Sequence, residues 1–130
     1  MEFTGKKRIG ILIANTYGSV PTDFFVNLME LQGNFYLWKE AKREDVEMAL
    51  FMKGGYMLDE IRNDLVKIGI NNGCTHLLFL DLDMTFPKET ITTLFEDLES
   101  NEKYDAVTGV YNWKSPPYLP HIYGKLNQRT

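Results

Sequence analysis

Cysteine is almost missing from this chain, and Cys74 stands alone. That excludes an internal disulfide and any zinc cluster built on cysteines. A reducing, cytoplasmic setting is the corresponding expectation. Long hydrophobic runs are missing too. The apolar stretch after Lys6-Lys7-Arg8 covers only residues 9–14, too short for a signal core or a membrane span. Basic excess is also absent, because 14 Lys and Arg face 18 Asp and Glu, for a net charge of −4. No broad surface for nucleic-acid phosphates is expected from that balance. Lys6-Lys7-Arg8 reads as a short solvated run before a strand. No internal repeat, low-complexity tract or linker interrupts the 130 residues, which are expected to form one domain, residues 1–130.

What is present is an ordinary globular composition, 44% hydrophobic and 25% charged, with a mean hydropathy of −0.27. Residues 9–14, Ile-Gly-Ile-Leu-Ile-Ala, read as a buried strand ending in Asn15-Thr16-Tyr17-Gly18. Residues 19–22 offer a proline and capping residues, and Phe24, Phe25, Leu28, Met29 and Leu31 then keep helical spacing. Gly33 is the expected helix end. Phe35-Tyr36-Leu37-Trp38 suits either a short strand or a helix extension, and residues 39–45 read as a charged, exposed connection.

Residues 46–53 predict a second strand, stopped by Gly54-Gly55. Met57, Leu58, Ile61, Leu65 and Ile68 predict a helix closing at Asn71-Asn72-Gly73. A third strand follows at residues 76–80, and Pro87 is expected in the first turn of a helix carrying Ile91, Leu94, Phe95 and Leu98. Residues 105–111 and 119–125 read as two further strands, the last one antiparallel. This alternation implies an α/β sandwich with a mostly parallel sheet and right-handed crossovers. Ligands of such sheets bind outside the carboxyl ends of the strands. Here those ends carry Asn15-Thr16-Tyr17, Gly54-Gly55 and Asp81-Leu82-Asp83.

The carboxylate pair is the feature that calls for chemistry. In an extended strand Asp81 and Asp83 point the same way, with Leu82 turned inward. Two carboxylates at the mouth of a buried strand repel each other, and a divalent cation relieves that repulsion. The bland reading is a strand end and nothing more. An EF-hand loop fails, because Thr85 takes the third ligand position and Phe86 stands where a glycine is needed. Asp81-Leu82-Asp83-Met84-Thr85 also matches the Asp-x-Asp-x-Thr signature of haloacid dehalogenase-like phosphatases, whose paired carboxylates act as nucleophile and general acid/base. That family needs a downstream lysine and an acidic pair, and only 45 residues follow Thr85, so the phosphatase ranks third.

A wider context changes the ranking. Arg62-Asn63 on a helix, the turn Asn72-Gly73-Cys74-Thr75-His76, the apolar strand ending in Asp81-x-Asp83, and Phe86-Pro87 beyond it together resemble the GT-A type nucleotide-sugar glycosyltransferases. The resemblance runs over residues 9–125 and is strongest over 58–111. It implies a three-layer sandwich with a Rossmann-like (GT-A) sheet. It also implies that Asp83 ligates Mn²⁺ or Mg²⁺ on the diphosphate of a nucleoside-diphosphate sugar. Asp81 would then touch the ribose or sugar, or hold the metal through water. Asn15, Thr16 and Tyr17 would stand at the base and ribose, with Tyr17 packing on the base. Arg62 would pair with phosphate or with Asp81, its bland alternative partner being Asp59 one turn away.

The acceptor, whether glycan, protein or small molecule, is left open by the sequence. Complete members of that family are longer, and their later half supplies acceptor loops, a metal-shell histidine and, in inverting members, a carboxylate base. His121 is too close in sequence to Asp83 for that histidine and reads as a strand or surface residue. Trp113, Tyr118 and Tyr123 suit sugar stacking and core packing equally well. The chain is therefore expected to be the donor-binding part of a transferase, or a compact relative that self-associates through a free sheet edge. A binding module that holds the nucleotide sugar without transferring it is the alternative from another class.

Overall fold

A computed structural model describes residues 6–109. Its elements run β1 (Lys7–Asn15), α1 (Thr22–Lys42), β2 (Val46–Gly54), α2 (Leu58–Asn71), β3 (His76–Phe79) and α3 (Thr90–Glu99). The chain divides into two compact units, residues 1–92 and 93–130. The first holds the sheet, α1, α2 and the opening of α3. Within the second, the remainder of α3 leads into a turn where Tyr104 N–H donates to the Asn101 carbonyl at 2.9 Å.

The three strands form an open, all-parallel sheet in the order β2-β1-β3. Register is fixed by Lys7 opposite Val46 through Asn15 opposite Gly54, and by Ile9 opposite His76 through Leu12 opposite Phe79. One further bond, from Leu80 N–H to the Leu12 carbonyl at 3.1 Å, carries the ladder just past β3. As the middle strand, β1 is apolar on both faces, as parallel strands are. Leu12 packs with Ile61 and Leu65 of α2, and Phe51, Val66 and Leu77 close round them. Ile9, Ile11 and Ile13 alternate onto the opposite face and are buried as well.

Close approach of α2 to the sheet depends on two glycines. A Cβ on Gly69 would lie 2.7 Å from Leu77 Cδ2, and one on Gly10 would lie 2.9 Å from Cys74 Sγ. Leu77 thus fits against the bare backbone of helix and strand. α2 ends at Gly73, whose φ of 77° is one only glycine adopts freely. Gly73 N–H donates to the Ile70 carbonyl and Cys74 N–H to the Gly69 carbonyl, both at 3.0 Å, the paired bonds of a Schellman motif. The Asn71-Asn72-Gly73 end was legible from the sequence.

Other boundaries differ from expectation. α1 does not stop at Gly33 but continues to Lys42, so residues 35–38 are helix and most of residues 39–45 are not a connection. The helix opens behind Pro21, with no side-chain cap bond. α3 begins at Thr90, three residues after Pro87, which instead accepts the Thr90 N–H at 3.0 Å in the preceding turn. Residues 105–109 are not strand, and the remainder of that expected strand lies outside the described residues. So do residues 119–125 with their expected antiparallel strand, and Trp113, Tyr118, His121 and Tyr123. No helix among the described residues is long and apolar enough to cross a membrane.

Candidate functional site

From the central strand β1 the chain moves to one side for β2 and to the other for β3. The edge where β1 and β3 end is therefore a topological switch point, the place where open parallel sheets commonly bind ligands. Two of the three loops singled out from sequence leave the sheet there. Residues 15–18 leave β1, and residues 80–86 leave β3.

β3 is shorter than expected and ends at Phe79, so Asp81 and Asp83 belong to a turn rather than to the strand. Met84 N–H donates to the Asp81 carbonyl at 3.3 Å and tightens that turn. Leu82 is buried in that turn, whereas Asp81 is partly exposed and Asp83 exposed. Asp81 Oδ1 accepts a bond from Arg62 Nη2 at 3.3 Å, and both side chains stay partly exposed. Arg62 therefore pairs with Asp81, the partner named for the site, rather than with Asp59. Asp83 is exposed.

α2 carries a second ion pair on the same side of the sheet. Lys53 Nζ, near the end of β2, lies 2.7 Å from Asp64 Oδ2. This pair holds the Asp64 carboxyl below its usual range, chiefly through the lysine's hydrogen bond. One helix thus ties the carboxyl ends of both outer strands, Lys53 through Asp64 and Asp81 through Arg62. Exposed pairs of this kind contribute about 0–1 kcal/mol each, so their effect is on position more than on stability. Gly55 turns the chain into α2 at φ 155°, with Ile61 so close that a Cβ there would come within 3.1 Å.

Asn15 has a definite task. Its Oδ1 accepts the backbone N–H of Tyr17 and of Gly18, each at 3.1 Å, which curls the loop after β1 back on itself. Gly18 completes that curl at φ 80°. Asn15 consequently shapes the loop through the carbonyl a ligand would otherwise meet. Thr16 is exposed, and Tyr17 is 60% exposed, its ring open to stacking on a planar group.

Sequence reading missed Asn27. It is buried on α1, donating from Nδ2 to the Phe86 carbonyl at 2.7 Å and accepting Phe86 N–H through Oδ1 at 2.6 Å. The carboxamide reads as a short piece of strand to the backbone of Phe86 and fixes the far end of the acidic loop. Its signal in the sequence was an amide among Phe24, Phe25, Val26, Leu28 and Met29, where a buried polar group needs a partner.

Among the described residues no three His, Cys, Asp or Glu side chains gather as a metal cage. Mg²⁺ and similar ions bound with a nucleotide typically take one or two carboxylates, the substrate's phosphates and water. Asp81 and Asp83 supply that donor set, so the residues fit such an ion in number and hardness. A cavity of about 310 Å³ opens elsewhere, at the amino ends of β1 and β2, lined by Arg8, Tyr36, Lys39, Glu47, Met48 and Ala49. Its charged groups are already engaged, with Arg8 Nη2 on Glu47 Oε2 at 2.9 Å and Lys39 Nζ on the Glu44 carbonyl at 3.0 Å. Comparison with family models, with curated proteins and with solved structures finds no match for this chain.

Proposed function

We propose that the chain is the donor-binding part of a GT-A-like glycosyltransferase, gripping a nucleoside-diphosphate sugar at the switch point between β1 and β3. One observation carries this reading. Asp81-x-Asp83 leaves β3 at the carboxyl edge next to β1, and Arg62 of α2 reaches it. Burial of both faces of β1 supports the accompanying fold, a three-layer, Rossmann-like sandwich.

In this reading Asp83, with Asp81 beside it, would hold Mn²⁺ or Mg²⁺. When bound, the ion offsets charge developing on the leaving diphosphate. Arg62 exchanges its bond to Asp81 for a phosphate oxygen, a partner its planar fork matches well. Tyr17 packs on the base, and Asn15 keeps the loop beneath it curled.

Melting curves with a panel of nucleoside diphosphates, with and without Mn²⁺, test the donor site. A ligand at 100 times its Kd stabilises the native state by about 2.7 kcal/mol, several degrees for a protein of this size. The expected result is a metal-dependent rise for one nucleotide, reduced in Arg62→Ala and lost in Asp83→Ala. No metal-dependent rise with any nucleotide, or an unchanged rise in Asp83→Ala, ends the proposal. Release of nucleoside diphosphate from a nucleotide sugar then separates a transferase from a module that only binds.

A further inference from the structure

α1 is apolar on two sides. Phe24, Leu28, Leu31 and Phe35 are buried. Opposite them Phe25, Val26, Met29, Tyr36 and Leu37 remain 56%, 53%, 55%, 47% and 71% exposed. At 3.6 residues per turn these five cover one arc of about 120°. Gly33 sits near the middle of that arc, and a Cβ there would meet nothing within 4 Å. Glu30 borders the arc and Glu40 closes it at the carboxyl end. A contiguous exposed apolar arc of this kind commonly marks an interaction surface.

We propose that a second copy of this chain covers this face, two α1 helices crossing antiparallel at Gly33 about a two-fold axis. Such an axis requires a surface that matches itself, and this one does. Rotation about Gly33 brings Met29 of one copy to within one residue of the level of Tyr36 of the other, on the same flank. Large apolar groups therefore meet large apolar groups, and methionine on an aromatic ring is a favourable contact. The missing side chain at Gly33 lets the two backbones approach at the crossing. The area agrees with a modest dimer. Taking ~150–250 Å² for an aromatic side chain and somewhat less for the others, the exposed fractions give roughly 450 Å² per copy. Doubled, roughly 900–1,000 Å² lies at the lower edge of specific interfaces, so association in the micromolar range is expected.

Sedimentation equilibrium of the full 130-residue chain, from about 5 to 500 μM, is the test. A monomer–dimer equilibrium is expected, weakened at least tenfold by Gly33→Arg and by Leu37→Glu. Gly33→Arg is the informative variant, because arginine is a better helix former than glycine and the space around the position is open. Its melting temperature at low concentration should be no lower than that of the parent chain. A chain that stays monomeric throughout, or a dimer indifferent to both substitutions, overturns the proposal.

Discussion

Asn27 uses both ends of its carboxamide on the backbone of Phe86, at 2.7 and 2.6 Å. Removing it leaves a donor and an acceptor at Phe86 without their partner, each costing about 1–3 kcal/mol if water does not reach them. Asn27→Ala should therefore lower stability by roughly 2–4 kcal/mol, read from urea unfolding. Asn27→Asp keeps an acceptor for Phe86 N–H but sets an oxygen against the Phe86 carbonyl, so it should recover only part of the loss. A separate effect is expected on the site. In either variant that remains folded, the melting rise with Mn²⁺ and nucleotide should shrink, because the acidic turn has lost its far anchor. A rise equal to the parent's would mean that Asn27 serves stability alone.

At the scale of elements, the junction between α1 and β2 is held by charge. Arg43, at the end of α1, grips Asp45 from Nε and Nη2, each at 3.0 Å. The hydrogen bond from Arg43 brings the Asp45 carboxyl down to about 2. Glu47 is lowered too, chiefly by its bond from Arg8. A carboxyl with a folded pKa below its unfolded value of about 4 binds protons less readily in the native state. Its contribution is complete above about pH 4 and is lost as pH falls towards 2. Melting temperature should fall through that window, and Asp45→Asn should flatten part of the fall. Because these groups are exposed, 1 M salt should reduce the effect as well. A pH profile unchanged by Asp45→Asn would remove Arg43–Asp45 from the account.

Two glycines show what the sequence can and cannot say about elements. Gly73 was read correctly as a stop because asparagines precede it and its positive φ lets the chain turn back. Gly33 has the same identity but no positive φ, and it costs a helix only about 1 kcal/mol relative to alanine. Burying Phe35 outweighs that cost, so the helix passes through. The asparagines mark Gly73, but nothing local marks Gly33 as a residue the helix passes through, because that depends on what the next turn packs against. Strand order was equally hidden, since nothing in residues 9–14, 46–53 and 76–80 says which strand pairs with which. The carboxylates and the loop at Asn15 were legible as residue types beyond strand ends, and Arg62 as a cation on the helix before them. Asn27 was not, because its partner is a main chain 59 residues away.

For the molecule as a whole, the order β2-β1-β3 makes the two ends of the sheet unequal. The carboxyl end has loops diverging from a switch point, an acidic turn facing solvent and an arginine within reach of it. At the amino end the cavity lined by Arg8, Tyr36, Lys39 and Glu47 presents charges already satisfied by neighbours. A phosphate entering there would have to displace Glu47 from Arg8. At the acidic turn a metal-bound diphosphate, as proposed, would instead bring opposite charge to both Asp81 and Arg62. Hydrogen exchange reads this difference directly. Adding the stabilising nucleoside diphosphate with Mn²⁺ should slow exchange of backbone amides at residues 15–18 and 80–86. Amides at residues 6–8, 36–39 and 46–49 should be unaffected beyond any uniform rise with global stability. Protection confined to the amino-end cavity would transfer the ligand to the opposite end of the sheet and leave Asp81 and Asp83 as the polar turn that closes β3.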